Sequence, residues 1–358
     1  MYKVVKVMVV AIMTLGLFAK AFAQEQKISR QDFYVTGDTG IRIFIREVRS
    51  VNSNLMKKVP LVLLHGARVP GVASFDLPVT GGSFAADLAT AGYVVYIMDA
   101  RGYGSSTRPP EMEQSPDVNP PLVRSSEVVR DIAAVVEAIC QQSGVERVAL
   151  LGWATGGHWA GHYASIYTHR VSHLILYNTL YGATPMHPTL GRGSDLEDPQ
   201  HPGLFNTRKY GAYRFNTAES LLPSWDRSIP VEDKSQWRDP VVVSAYQQTA
   251  IESDPTARQR APASFRAPSG AMEDSFYLAT GRRLWDASLV RARTLIIRSE
   301  RDFWSRPEDP KRLAEDLVHA ARVKVVTIAE ATHYVHLDRA ERGRDRFLQE
   351  VLSFLLKK

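Results

Sequence analysis

A single cysteine, Cys140, stands in 358 residues, so the chain forms no internal disulfide and assembles no cysteine-based zinc site. It lies in the apolar helical stretch 128–140, where a thiol serves as a small core hydrophobe. Long hydrophobic runs are missing too: none reaches the roughly 18–20 residues that a bilayer-spanning helix needs. Charge of one sign is scarce. The formal net charge is +6, and removing Lys3, Lys6 and Lys20 at the extreme N-terminus leaves 41 basic against 38 acidic side chains. That balance, with no basic cluster interleaved with aromatics, excludes a nucleic-acid partner. No internal repeat or low-complexity segment is present, which excludes solenoids and disordered arrays.

The chain is 44% hydrophobic and 23% charged, and at this length it can bury a sizeable core. It begins with Lys3 and Lys6, an apolar stretch at 7–18, and Ala21-Phe22-Ala23 before Gln24. A basic start, a short apolar centre and a small-x-small site make a secretory signal, expected over residues 1–23. The protein is therefore expected to be periplasmic or secreted, with no stable membrane span after cleavage.

Residues 32–47 alternate on both sides of Gly37-Asp38-Thr39-Gly40 and predict a β-hairpin. Short apolar runs predict strands at 59–64, 93–98, 145–151, 171–177, 294–298 and 323–328. Between them, helical spacing predicts helices at 83–91, 127–142, 156–167, 307–320 and 340–356. Strands alternating with helices in this way predict a mostly parallel central sheet with helices on both faces, an α/β protein. One segment, 183–290, breaks the rhythm. It is rich in proline and aromatics and too long for a plain loop. It is expected to be a helical lid inserted between a first core part, 24–182, and a second, 291–358, over the carboxyl ends of the strands.

Five local patterns carry chemistry. A strand runs into His65-Gly66-Ala67-Arg68. Another runs into Asp99-Ala-Arg101-Gly102-Tyr103-Gly104. A third runs into Gly152-Trp153-Ala154-Thr155-Gly156-Gly157 and restarts as a helix. Late in the chain Arg298-Ser-Glu-Arg-Asp302 follows one strand, and Glu330-Ala-Thr-His333-Tyr-Val-His336 follows the last. In this order and spacing the chain resembles the α/β-hydrolase fold superfamily, whose nucleophile elbow is G-x-S-x-G. The resemblance implies Asp302 as the acid and His333 as the base. It implies the backbone N–H groups of Ala67 and Thr155 as an oxyanion hole. Glu300 and His336 are the competing acid and base. His65 is expected to brace its loop and to stay out of proton transfer. His333 and His336 also form H-x-x-H, but no third ligand stands at a recognisable spacing, so neither metal nor cofactor is expected.

The elbow departs from the family at its centre, where Ala154 replaces serine. Three explanations stand side by side. An engineered serine-to-alanine inactivation is one, although an intact export segment argues for a native sequence. A substitute role for the Thr155 hydroxyl is another, although one residue of displacement sends that side chain in another direction. The third is a His333–Asp302 dyad that works without a covalent nucleophile, by activating water or by removing a proton from the substrate. Haloalkane dehalogenation is disfavoured, since that branch needs an aspartate at the elbow. The leading expectation is an exported enzyme that hydrolyses a small, largely apolar ester or amide. The alternatives are proton-transfer chemistry of lyase or cofactor-free oxygenase type at the same dyad, and a ligand-binding pseudoenzyme.

Overall fold

The computed structural model describes residues 27–51 and 58–356, and the export segment expected over 1–23 lies outside them. The strands in chain order are β1 (Ile28–Thr36), β2 (Arg42–Ser50), β3 (Leu61–Leu64), β4 (Val95–Met98) and β5 (Val148–Trp153). They continue with β6 (Val171–Tyr177), β7 (Tyr213–Thr217), β8 (Ser264–Pro268), β9 (Arg293–Ser299) and β10 (Arg322–Ile328). All but β7 and β8 join one sheet in the order β1-β2-β4-β3-β5-β6-β9-β10. The hairpin β1–β2 and its pairing with β4 are antiparallel, and every later pair is parallel.

The apolar runs dictate this arrangement. A strand whose residues are apolar at every position must be covered on both faces. In β3 and β5, Leu61, Leu63, Ala149 and Leu151 enter one core. Their neighbours Val62, Leu64, Val148 and Leu150 enter the other. Helices Gly71–Phe75, Phe84–Thr90 and Arg344–Leu356 cover the first face. Helices Ser125–Ser143, Thr155–Ile166 and Glu308–Asp316 cover the second, with Cys140 buried among them. A short helix, Gly71–Phe75, lies between β3 and the helix Phe84–Thr90, in a stretch with no helical periodicity. The helix expected at 307–320 is confined to Glu308–Asp316. Among the described residues no helix is long and apolar enough to cross a membrane.

The segment 183–290 departs from the all-helical expectation. It holds helices Leu222–Ser228, Pro240–Glu252 and Gly270–Ala279, but also the antiparallel pair β7–β8. Those strands pair Tyr213 with Pro268 and Thr217 with Ser264, residues too far apart in the chain for local periodicity to reveal. A buried carboxylate anchors β8. Asp254 accepts from the Arg266 side chain at 2.9 Å and from Arg260 at 2.9 Å. Trp225 Nε1 donates to Asp338 at 2.9 Å and Trp237 Nε1 donates to the Glu330 carbonyl at 2.9 Å, which ties the segment to the loop after β10.

Candidate active site

The site forms where β3, β5, β6, β9 and β10 end. Residue 154 sits at the turn from β5 into the helix Thr155–Ile166. Its backbone is at φ +51°, ψ −114°, a left-handed conformation that costs a side-chain-bearing residue about 1–3 kcal/mol. The glycines around it make the turn sterically feasible. A Cβ on Gly152 would come within 2.3 Å of the Gly156 carbonyl oxygen, and one on Gly156 within 2.2 Å of the Leu64 carbonyl oxygen. Only glycine lets the helix start this close to β3 and β5.

His333 and Asp302, separate in sequence, meet here. His333 Nδ1 lies 2.6 Å from Asp302 Oδ1, and both residues are 5% exposed. Asp302 also accepts from the Trp304 amide at 2.9 Å, the Ser305 amide at 2.9 Å and the Ser305 hydroxyl at 2.6 Å. Burial, the largest single influence on this carboxyl, pushes its pKa up. The charge and hydrogen bond of His333, with the Ser305 and Trp304 donors, outweigh it and hold the group below its usual range. An ionised carboxylate only accepts, so the Nδ1 facing it carries the proton and Nε2 is the basic nitrogen. The competing residues are elsewhere. Glu300 is exposed and accepts from the Glu330 amide at 2.7 Å. His336 has no access to solvent. It is fully buried, with Nδ1 3.1 Å from the Tyr177 hydroxyl and its ring against Phe75 and Trp153. The two histidines of H-x-x-H thus face different surroundings.

The backbone donors are free. Among the described residues the N–H groups of Ala67 and Thr155 donate to no other group, and Thr155 opens its helix, where the dipole adds positive potential. His65 braces this structure. Its Nε2 accepts from the Ala100 amide at 3.1 Å, so its Nδ1 must be the donor to the Gly66 carbonyl at 2.7 Å. That carbonyl belongs to the same peptide unit as the Ala67 N–H. Burial draws the His65 pKa down to about 4, against a smaller upward pull from the Gly66 carbonyl, so the ring stays neutral near pH 7.

Sequence reasoning missed several residues. Asn178, just past β6 at φ +51°, accepts from the Ser299 amide at 2.7 Å and donates to the His333 carbonyl at 3.1 Å. Trp153 Nε1 donates to the same carbonyl at 3.0 Å. These bonds fix the loop that carries His333, and no motif in the sequence announces them. Two arginines were also missed. Arg68 donates from Nε to Asn216 at 3.0 Å, and Arg214 donates from Nη2 to the Ala67 carbonyl at 3.1 Å. Arg68 closes the motif His65-Gly66-Ala67-Arg68, but its lack of an acidic partner is visible only in space.

A cavity of about 390 Å³ brings these groups together. Ala67, Ala154, Thr155 and His333 line it, with Trp153, Phe303, Trp304 and Tyr334 beside them. The segment 183–290 contributes further wall, including Leu196, Arg214, Tyr246 and Met272.

A sequence profile of the α/β hydrolase fold matches residues 59–340, and the chain belongs to that family. No curated protein sequence matches it significantly. Solved structures do. A serine-to-alanine mutant of the meta-cleavage product hydrolase CumD from Pseudomonas fluorescens IP01, complexed with acetates, superposes with a TM-score of 0.56 at 19% identity, covering 90% of this chain and 96% of that one. An esterase from Exiguobacterium antarcticum gives 0.55 at 17% identity, covering 91% and 100%. A thermophilic esterase from Thermogutta terrifontis gives 0.52 at 17% identity, covering 91% and 98%. These likenesses are of fold: a parallel sheet with helices on both sides, of the kind hydrolases use.

Proposed function

We propose that the protein is an exported hydrolase of small carbonyl compounds, esters or amides, that works without a covalent nucleophile. One observation carries the reading: His333, held by the buried Asp302 at 2.6 Å, shares one cavity with Ala154 and with the unused amides of Ala67 and Thr155. In this reading His333 Nε2 takes a proton from water as the water oxygen bonds to the substrate carbonyl carbon. The carbonyl π electrons move onto oxygen, which the two N–H groups receive. Asp302 holds the ring in the required tautomer and stabilises the imidazolium. The tetrahedral intermediate then collapses, and His333 returns the proton to the departing oxygen or nitrogen. The segment 183–290 is the lid that walls the substrate in, and Ala154 marks the position of the family's nucleophile and leaves room above the elbow.

The test uses the chain as written and His333→Ala on short p-nitrophenyl esters. Hydrolysis that falls about a hundredfold or more in His333→Ala supports the reading, since general-base catalysis is worth at least that much. No hydrolysis by either protein overturns it for simple esters and favours proton abstraction from a bound substrate at the same dyad.

A further inference from the structure

Two cations in the cavity wall have no assigned role. Arg68 and Arg214 both line the cavity, and among the described residues neither forms an ion pair. No aspartate or glutamate lines the cavity with them. Of the other buried or half-buried arginines, some have carboxylate partners, as Arg101 has in Asp131, Arg124 in Asp274 and Arg266 in Asp254, and some, like Arg108 and Arg298, donate only to backbone carbonyls; none of these lines the cavity. The contacts of the cavity pair are neutral. Arg68 donates to Asn216 Oδ1 at 3.0 Å and to Ser220 Oγ at 3.3 Å, while Arg214 donates to the Ala67 carbonyl at 3.1 Å. Each guanidinium presents five N–H donors, so most of them are uncommitted. Removing a charge from water without a counter-charge is costly, and doing so twice in one cavity leaves a site that attracts an anion.

The placement narrows the anion. Arg68 directly follows Ala67, and Arg214 bonds the carbonyl of Ala67, whose own N–H is the proposed oxyanion donor. The Arg214 guanidinium is therefore held at the residue that supplies the proposed oxyanion donor, and Arg68 lines the same cavity from the neighbouring position. A planar, forked guanidinium matches a carboxylate in two parallel bonds. The geometry points to a substrate that carries a carboxylate within a few bonds of its reacting carbonyl, with that carboxylate held by Arg68 and Arg214 and its apolar remainder against Phe303, Trp304 and Tyr246. This inference rests on the reading that the cavity is the catalytic site, and it replaces a wholly apolar substrate with an amphiphilic acid.

Ligand binding tests it separately from catalysis. The probes are benzoylformate and acetophenone, which share ring and carbonyl and differ in a carboxylate against a methyl group. Calorimetric titration of the full chain, Arg68→Gln, Arg214→Gln and His333→Ala is expected to show benzoylformate binding at least about tenfold tighter than acetophenone. The preference is expected to persist in His333→Ala and to fall about tenfold in each arginine variant. Glutamine at 214 can still donate to the Ala67 carbonyl, and Arg68→Gln touches no backbone group, so the two variants guard each other against misfolding. Equal binding of the two probes, or a preference unchanged in both folded arginine variants, overturns the inference. A preference present without any ester hydrolysis upholds it and overturns the hydrolytic reading. Hydrolysis of neutral esters by a protein with no carboxylate preference does the reverse.

Discussion

Serine at position 154 is the most direct test of the elbow. Ala154→Ser adds one oxygen to a Cβ that already leaves a strained turn at φ +51°, ψ −114°. The glycines that clear its surroundings, the His333–Asp302 pair at 2.6 Å and the unused amides of Ala67 and Thr155 stay as they are. In serine hydrolases the loss of the nucleophile costs about 10⁶ in kcat, which sets the ceiling on what the substitution can restore. A misplacement of about 1 Å takes roughly 10² from such a gain. The expected increase therefore lies between about 10⁴ and 10⁶, or about 5–8 kcal/mol of transition-state stabilisation. Folding stability should change by no more than about 1 kcal/mol, because the added hydroxyl enters an open cavity and strands no buried polar group. Stopped-flow hydrolysis of p-nitrophenyl acetate and butyrate measures the gain. A pre-steady-state burst and an acyl adduct in the intact mass identify the covalent route, and both should vanish in Ala154→Ser combined with His333→Ala. A folded Ala154→Ser with no burst, no adduct and an unchanged rate would refute the reading that His333 acts on residue 154 across the shared cavity.

Three further outcomes follow from the same geometry. Asp302→Asn should lower kcat about 10⁴-fold, because the amide cannot enforce the Nδ1–H tautomer. The Asp302 carboxyl is held below its usual range, so the stability it contributes is full above the unfolded value of 3.8 and is lost as pH falls through the folded value. The urea midpoints of wild type and variant should therefore converge below pH 3.8. Asp338, buried beneath the His333 loop and pushed up by burial to about 6, has the opposite sign: its folded form gains a proton while the unfolded chain stays ionised. Wild type should gain up to about 3 kcal/mol over Asp338→Asn, read from urea melts, as pH falls from 7 to 4, and the gain should stop there. Asn178→Ala strands the Ser299 amide and releases the His333 carbonyl. It should cost about 2 kcal/mol in urea melts and about a hundredfold in kcat with KM little changed.

The fold was legible because its signals are local. Four apolar residues at Leu61–Leu64 followed by His65-Gly66, and six at Val148–Trp153 followed by small residues, state both the strand and the turn that ends it. His333 and Asp302 were legible because each follows a strand end in the order the family uses. What escaped depends on residues that meet only in space. The β7–β8 pair joins residues across more than forty positions. Asn178 acts through bonds to β9 and to the His333 loop, and a single asparagine after a strand is not a signal. His336 has the same local context as His333, and only packing against Tyr177 and Phe75 separates a buried ring from a basic one.

The elbow without its serine is best understood through the sign of its charge. The turn at Ala154 stores about 1–3 kcal/mol of backbone strain whatever side chain it holds. What it delivers independently of that side chain is a helix N-terminus aimed into the cavity, with the Thr155 N–H unspent. The Ala67 N–H, fixed by His65 through the Gly66 carbonyl, adds a second donor, and two unpaired guanidiniums add two full charges. Against these stands one carboxylate, Asp302, whose accepting capacity is taken by His333, Trp304 and Ser305. The site therefore carries more positive than negative charge, and alanine removes nothing from that balance. Negative charge, whether carried in by a carboxylate or developed on a carbonyl oxygen, is what this site stabilises. A nucleophile would add a route to that charge; the field that receives it is already built.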